Sequence, residues 1–136
     1  MATDVADFSP WEQLRWAWRV TGVCADAHPL ARYRRALSDR GVLSAHEAQR
    51  QPPHTVVTVA GLNVRPHRPP TRSGRTVLFT TVEDETDLLQ VVCAGEALER
   101  CAAVFLLSPA VLVEGTVEHR GRGASLVAER AEPLRL

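Results

Sequence analysis

The 136-residue chain contains no lysine, one tyrosine, one methionine and only 5% aromatic residues. All sixteen of its permanently basic side chains are Arg, balanced by sixteen acids, so the formal net charge is zero. A neutral chain is not a whole-protein electrostatic binder, although charge can still be segregated along it. Cys24, Cys93 and Cys101 are odd in number and lack CxxC spacing, which argues against a disulfide framework or a zinc site and for buried, reduced thiols. No run approaches the ~20 apolar residues of a membrane span. Asp4 and Asp7 near the start, with no apolar run behind them, do not make a secretion signal. A cytoplasmic location without membrane contact is the expectation. P-loop, HExxH, GxGxxG and nucleophile-elbow motifs are missing. The histidines (His28, His46, His54, His67, His119) show no ligand spacing. No cofactor, no metal and no catalytic residue are expected, so the chain reads as a non-enzyme.

What is present centres on residues 55–87. Two β-like runs, Val56–Arg65 and Thr76–Glu83, flank a loop holding Arg65, Arg68, Arg72 and Arg75. Pro66, Pro69, Pro70 and Gly74 keep that loop out of regular structure. Residues 55–75 carry those four Arg and no acid, residues 76–119 carry eight acids against Arg100, and residues 120–136 return to four Arg against two Glu. Such segregation is what a one-sided basic face requires, and the planar guanidinium fork suits phosphate.

Before this stretch the period is helical. Ser9 can cap a helix with Pro10 at its first position, and Trp11, Leu14 and Trp18 share one face, with Trp16 off it. That spacing suits packing on a core or a partner better than base stacking. A second helix is expected after His28, with Pro29 in its first turn, Leu30, Tyr33 and Leu37 on one face, and Arg32, Arg34, Arg35 and Arg40 on the remaining surface, either solvated or touching phosphate. Ser44-Ala-His-Glu47 is a capping box for a third, short helix. Gln51-Pro-Pro-His54 breaks the pattern, which divides the chain into a helical segment, 1–54, and a β-domain, 55–136.

From Thr55 the period is two. Val57 and Val59 alternate, then the apolar set shifts to Leu62 and Val64 across Gly61, which suggests a β-bulge at that glycine. Further strands are expected over Thr76–Glu83, Leu88–Ala94, Ala110–His119 and Ser125–Ala131, with a helix over 95–105 and a tight turn at Arg120-Gly-Arg-Gly123. Five strands with one helix between the third and fourth is the plan of an OB-fold barrel; an SH3-like barrel would lack that helix.

OB-folds bind across strands 2 and 3, between the loops joining strands 1–2 and 4–5. The two basic segments of the β-part occupy those two loops. The expected contacts are therefore Arg65, His67, Arg68, Arg72, Arg75, Arg120 and Arg122, on one side of the barrel. Phe79 lines the binding face if Leu78 and Val82 point inward. The acids Glu83, Asp84, Glu85 and Asp87 alternate in direction and do not converge as metal ligands, so a hydrogen-bonded turn explains them better.

The run VAGLNVRPHRPPTRSGRTVLFTTVEDET resembles the OB region near the C-terminus of bacterial C-family DNA polymerase alpha subunits, especially the error-prone, damage-associated type. Trp18-Arg-Val-Thr-Gly22 followed by His28-Pro29-Leu30 resembles the segment that precedes it there. Pro66-His67, Ser73 and Asp87 depart from the family pattern, and Ser73 removes a phosphate-binding Lys. The resemblance implies a stand-alone counterpart of the polymerase tail, without catalytic domains, that handles single-stranded DNA and contacts replication or translesion factors. A non-catalytic single-stranded-DNA-binding module serving repair or error-prone synthesis is thus the leading expectation. The alternatives are an adaptor docking a DNA polymerase or other repair protein through Trp11, Trp16 and Trp18, and an RNA- or tRNA-binding OB domain.

Overall fold

The computed structural model of the chain describes residues 28–68 and 76–134; Trp11, Trp16 and Trp18, together with Arg72 and Arg75, lie outside them. The helix expected after His28 is divided. A 3-10 turn, Pro29–Tyr33, leads into α1, Arg34–Asp39. Pro29 has no N–H to lose at the first position, and His28 Nδ1 accepts the N–H of Leu30 at 3.2 Å, which caps the turn. Leu30 and Leu37 are buried, as their spacing requires. The capping box is complete at α2, Ala45–Gln49: Ser44 Oγ accepts from Glu47 N–H, and the Glu47 carboxylate accepts from Ser44 N–H. The Ser44 N–H that the carboxylate accepts, and after it the nearby Ser44 hydroxyl, hold the Glu47 carboxyl below its usual range.

The β-part is a closed barrel in the order β1–β2–β3–β5–β4, built from β1 Val56–His67, β2 Val77–Glu83, β3 Leu88–Ala94, β4 Ala110–Arg120 and β5 Gly123–Pro133. All pairs are antiparallel except β3–β5, and helix α3, Gly95–Leu107, bridges β3 and β4. This is the five-stranded OB arrangement the element order implied. Leu78, Val82, Leu89, Val91, Cys93, Val111, Val113, Val117, Leu126 and Ala128 fill the barrel, and α3 closes it with Leu98, Cys101 and Phe105. Phe105 has no exposed surface. Truncating it to Ala would leave a cavity at the mouth of the barrel, at a cost of about 3–5 kcal/mol.

The bulge expected at Gly61 is not there. The β1–β4 ladder runs without a shift from Val56↔Thr116 to Leu62↔Ala110, so side chains keep alternating. The apolar pattern changes because burial becomes two-sided. Val57 and Val59 point into the barrel, while Ala60, Leu62 and Val64 point outward and are covered by Leu30, Leu37 and Val42 of the front segment. Gly61 meets a different demand: a Cβ there would lie 2.6 Å from the Glu83 carbonyl. The real β1–β2 bulge comes later, where the register slips by one residue between Val64↔Thr81 and His67↔Phe79. Arg65, at φ +55°, adopts the left-handed conformation there, which costs a non-glycine residue about 1–2 kcal/mol.

The front segment is joined to the barrel by hydrophobic and polar contacts. Leu43 N–H bonds to the Thr58 carbonyl at 2.8 Å, and Ala45 and Ala48 enter the barrel's own core. Arg34, expected on the solvated surface, instead grips the turn between β2 and β3. Its Nε and Nη2 donate to both Glu85 oxygens at 2.6 and 2.8 Å, and Nη2 also donates to Asp84 Oδ2 at 3.1 Å. His28 directs Nε2 at Glu83 Oε2 at 3.3 Å, with both side chains buried.

Candidate nucleic-acid interface

Inward-facing Leu78, Thr80 and Val82 place Phe79 and Thr81 on the outer face of β2, the condition under which Phe79 belongs to a binding surface. The slip at Arg65 then has a consequence. One extra residue in β1 turns His67 to the outer face, where its ring stacks on Phe79 with centroids 5.8 Å apart and planes inclined by 25°. His67 Nδ1 donates to the Arg65 carbonyl at 3.0 Å, which fixes the ring's orientation.

Strand pairing extends this ring pair into a row. His67 pairs with Phe79, Phe79 with Val92, Val92 with Val127, and Val127 with Thr116. Paired residues project to the same side of a sheet, about 4.8 Å apart, so the row crosses five strands and contains no acid. Val127 is 38% exposed, and Phe79 and Val92 are partly exposed. A second row, two residues further along each strand, runs through Thr81, Gln90, Ser125 and Glu118.

The strand ends that flank the β1–β2 connection and the β4–β5 turn lie at opposite ends of this face. Since β3 and β5 are parallel, the Gly121-Arg122 turn lies beside the start of β3, whereas the β1–β2 connection opens near its end, where Val77 pairs with Ala94. Arg68 and Thr76, at that end, line an open groove of about 700 Å³ with Ala94, Gly95, Leu98, Glu99 and Ala102. At the other end Gly121 takes φ +59°, which lets the chain reverse in two residues. Arg120, opposite Gly123, is exposed on the outer face, and Arg122 is exposed at the tip. Arg68 and the turn holding Arg120 and Arg122 thus lie at opposite ends of the same surface.

The acids after β2 form a hydrogen-bonded turn. Asp84 Oδ1 accepts from Thr86 N–H and Oγ1 and from Asp87 N–H, while Oδ2 accepts from Ala45 N–H at 2.6 Å. Burial pushes the Glu85 carboxyl up, but the Arg34 donors outweigh it and hold the group below its usual range. The same bond to Glu85 raises Arg34 above its own. Arg34 is thereby committed to protein acids and not to phosphate. Among the described residues no His, Cys, Asp or Glu group is arranged to hold a metal, and no helix is long and apolar enough to cross a membrane.

Gln90, Val92, Ser125 and Val127 were not singled out in the sequence. Alternation in β3 did point to the first two, because Leu89, Val91 and Cys93 face inward. The parallel β3–β5 pairing that aligns them with Ser125 and Val127 has no local signal.

A barrel of this topology, with a partly apolar face between two loops, defines an OB-fold domain, and residues 57–134 match the family described as OB-fold nucleic acid binding domain (tRNA anti-codon type). The chain belongs to that family. It is also 34% identical over 132 residues to an error-prone DNA polymerase of Symbiobacterium thermophilum, covering 96% of this chain and 12% of the polymerase. It is 32% identical over 114 residues to that of Corynebacterium glutamicum, covering 84% and 11%. The chain thus spans about a tenth of these relatives. Among solved structures it is similar to asparaginyl-tRNA synthetase from Pyrococcus horikoshii (TM-score 0.55, 23% identity, 66% of this chain and 22% of the other). A second similar structure is OBody AM1L10 bound to hen egg-white lysozyme (TM-score 0.54, 23% identity, 69% and 91%). These two likenesses concern the fold.

Proposed function

We propose that this protein is a non-catalytic module that binds single-stranded DNA across the β2–β3–β5 face, in the cytoplasm, as an accessory to DNA repair or error-prone synthesis. The observation that carries the reading is the stacked His67–Phe79 pair, held outward by a bulge on a face with basic loops at both ends. An exposed ring pair is a platform for an unpaired base, worth about 1–3 kcal/mol per stacked base. Arg65, Arg68, Arg72 and Arg75 at one end and Arg120 and Arg122 at the other supply phosphate contacts. Similarity to error-prone polymerases across both the front segment and the barrel supports the same role as the OB region of those enzymes. In that role residues 1–54 form a helical segment beside the binding domain, 55–136.

Fluorescence anisotropy with labelled oligonucleotides over a salt series tests the reading. Four or five phosphate contacts give a log–log slope near roughly −3 on single strands. Substituting Arg68, Arg72 and Arg122 by Ala should reduce both affinity and slope. Undetectable binding at low salt, or an unchanged slope in the triple variant, refutes the proposal. Competition with RNA of the same sequence distinguishes an RNA- or tRNA-binding domain.

A second reading has its own observation. Val127 and Val56 are exposed apolar side chains on the outer surface, which suits docking of a polymerase or another repair protein, with Trp11, Trp16 and Trp18 as further anchors. Capture of such a partner that survives high salt but fails on Trp16→Ala or Trp18→Ala would favour this adaptor role.

A further inference from the structure

We infer that the front segment extends the binding site: Arg50, at the end of α2, carries the phosphate path past the β4–β5 turn. The chain then holds a longer single strand than the barrel face alone; the inference rests on the single-strand reading above. Both neighbours of Arg50 are tied to the strands around that turn. Gln49 Nε2 donates to the Leu88 carbonyl at the start of β3 at 2.8 Å. The Gln51 carbonyl accepts from His119 Nε2, near the end of β4, also at 2.8 Å. His54 N–H bonds to the Val117 carbonyl at 2.7 Å and Val117 N–H to the Thr55 carbonyl at 2.9 Å, which carries the β1–β4 pairing back into residues 51–55. Because Gln90 pairs with Ser125 in a parallel ladder, the start of β3 lies beside Gly123, and Gly123 is the partner of Arg120. Arg50 is therefore held at the end of the barrel that carries Arg120 and Arg122.

The charges at this end leave the three guanidinium groups available. Arg50 is exposed, and its Nη1 donates to His46 Nε2 at 3.4 Å, a contact that orients the fork and uses one of its five N–H donors. The acids nearby are engaged elsewhere. Glu47 accepts the Ser44 N–H, Asp87 accepts the Leu88 N–H, and Glu118 faces His54 at 3.4 Å. Among the described residues Arg50, Arg120 and Arg122 enter no ion pair. Exposed forks without a carboxylate, on two pieces of chain pinned together, suit successive phosphates of one strand.

Labelled oligo-dT of about 4 to 16 nucleotides, titrated with the full chain over a salt series, tests the assignment. Wild-type affinity should climb with length until the strand reaches Arg50. Arg50→Ala should match the wild type on the shortest oligomer. On the longest it should bind at least ~3-fold more weakly, with a log–log slope less steep by about 0.7. Arg50→Lys, which keeps the charge, should retain most of that slope. Neutral methylphosphonate linkages at one end of the longest oligomer, and not at the other, should reproduce the loss in the wild type and add nothing to Arg50→Ala. Losses equal at every length, no loss at any length, or an Arg50→Lys variant as weak as Arg50→Ala overturn the inference and leave single-strand binding standing. No binding of any oligomer by the wild type overturns the underlying reading itself. Thermal melts of both variants check that the exposed substitution leaves the fold intact.

Discussion

Removing the ring of Phe79 is the sharpest perturbation of the candidate face. Phe79 is only partly buried, and its ring stacks on that of His67, so Phe79→Ala should destabilise the fold by less than the ~3–5 kcal/mol of a core aromatic. Its loss falls on binding. One stacked base is worth about 1–3 kcal/mol, which corresponds to roughly 5- to 150-fold in Kd. No phosphate contact is removed, so the salt slope should stay the same while the whole line drops. Because His67 and Phe79 form one platform, their effects should not add: His67→Ala/Phe79→Ala should lose little more than Phe79→Ala alone. Anisotropy titrations of wild type, both single variants and the double variant at several salt concentrations measure all of this. A loss below about twofold in Phe79→Ala, or strictly additive losses, would refute the platform reasoning.

Three further outcomes follow from the structure. Arg34→Met should cost about 3–5 kcal/mol in urea unfolding, because Asp84 and Glu85 lose their cation in a partly buried turn. Glu85 titrates below its ordinary value of 4.5 in the folded state, so its contribution is present above that pH and is lost as pH falls below it; the acid limb of the stability curve should flatten in Arg34→Met. Gly115→Ala places a Cβ 2.3 Å from the Val127 carbonyl at the β4–β5 crossing, and it should both lower the melting temperature and weaken binding by displacing Val127. Cys93 and Cys101 are buried, and burial first, then the neighbouring Cys101, pushes the Cys93 thiol up to about 12. Neither should react with a thiol reagent until the protein unfolds, and Cys93's stabilising contribution should fade as pH rises from 9 toward 12, which a pH series of urea melts would detect.

The strand periods, the capping box and the turn residues are local signals. They are strong enough to set five strands and the closing helix in order, and thereby the OB class. The alternation of Leu89, Val91 and Cys93 and of Val111, Val113 and Val117 marks inward faces because a pleated strand offers no other way to bury them. The shift at Gly61 misled because an apolar run has the same appearance whether a strand slips or is covered on both sides. Only the docking of Leu30, Leu37 and Val42 on Ala60, Leu62 and Val64 separates the two cases. Arg34 misled similarly, since its acidic partners lie some fifty residues away.

By itself, then, the sequence determined the element order, the inward faces and the two basic loops that bracket strands 2 and 3. Tertiary structure decided what lies between those loops. A one-residue slip at Arg65 turned His67 onto Phe79, and parallel pairing of β3 with β5 aligned Gln90 with Thr81 and Ser125. Both depend on register between strands, which is set by packing over the closed barrel and leaves no mark in any one segment.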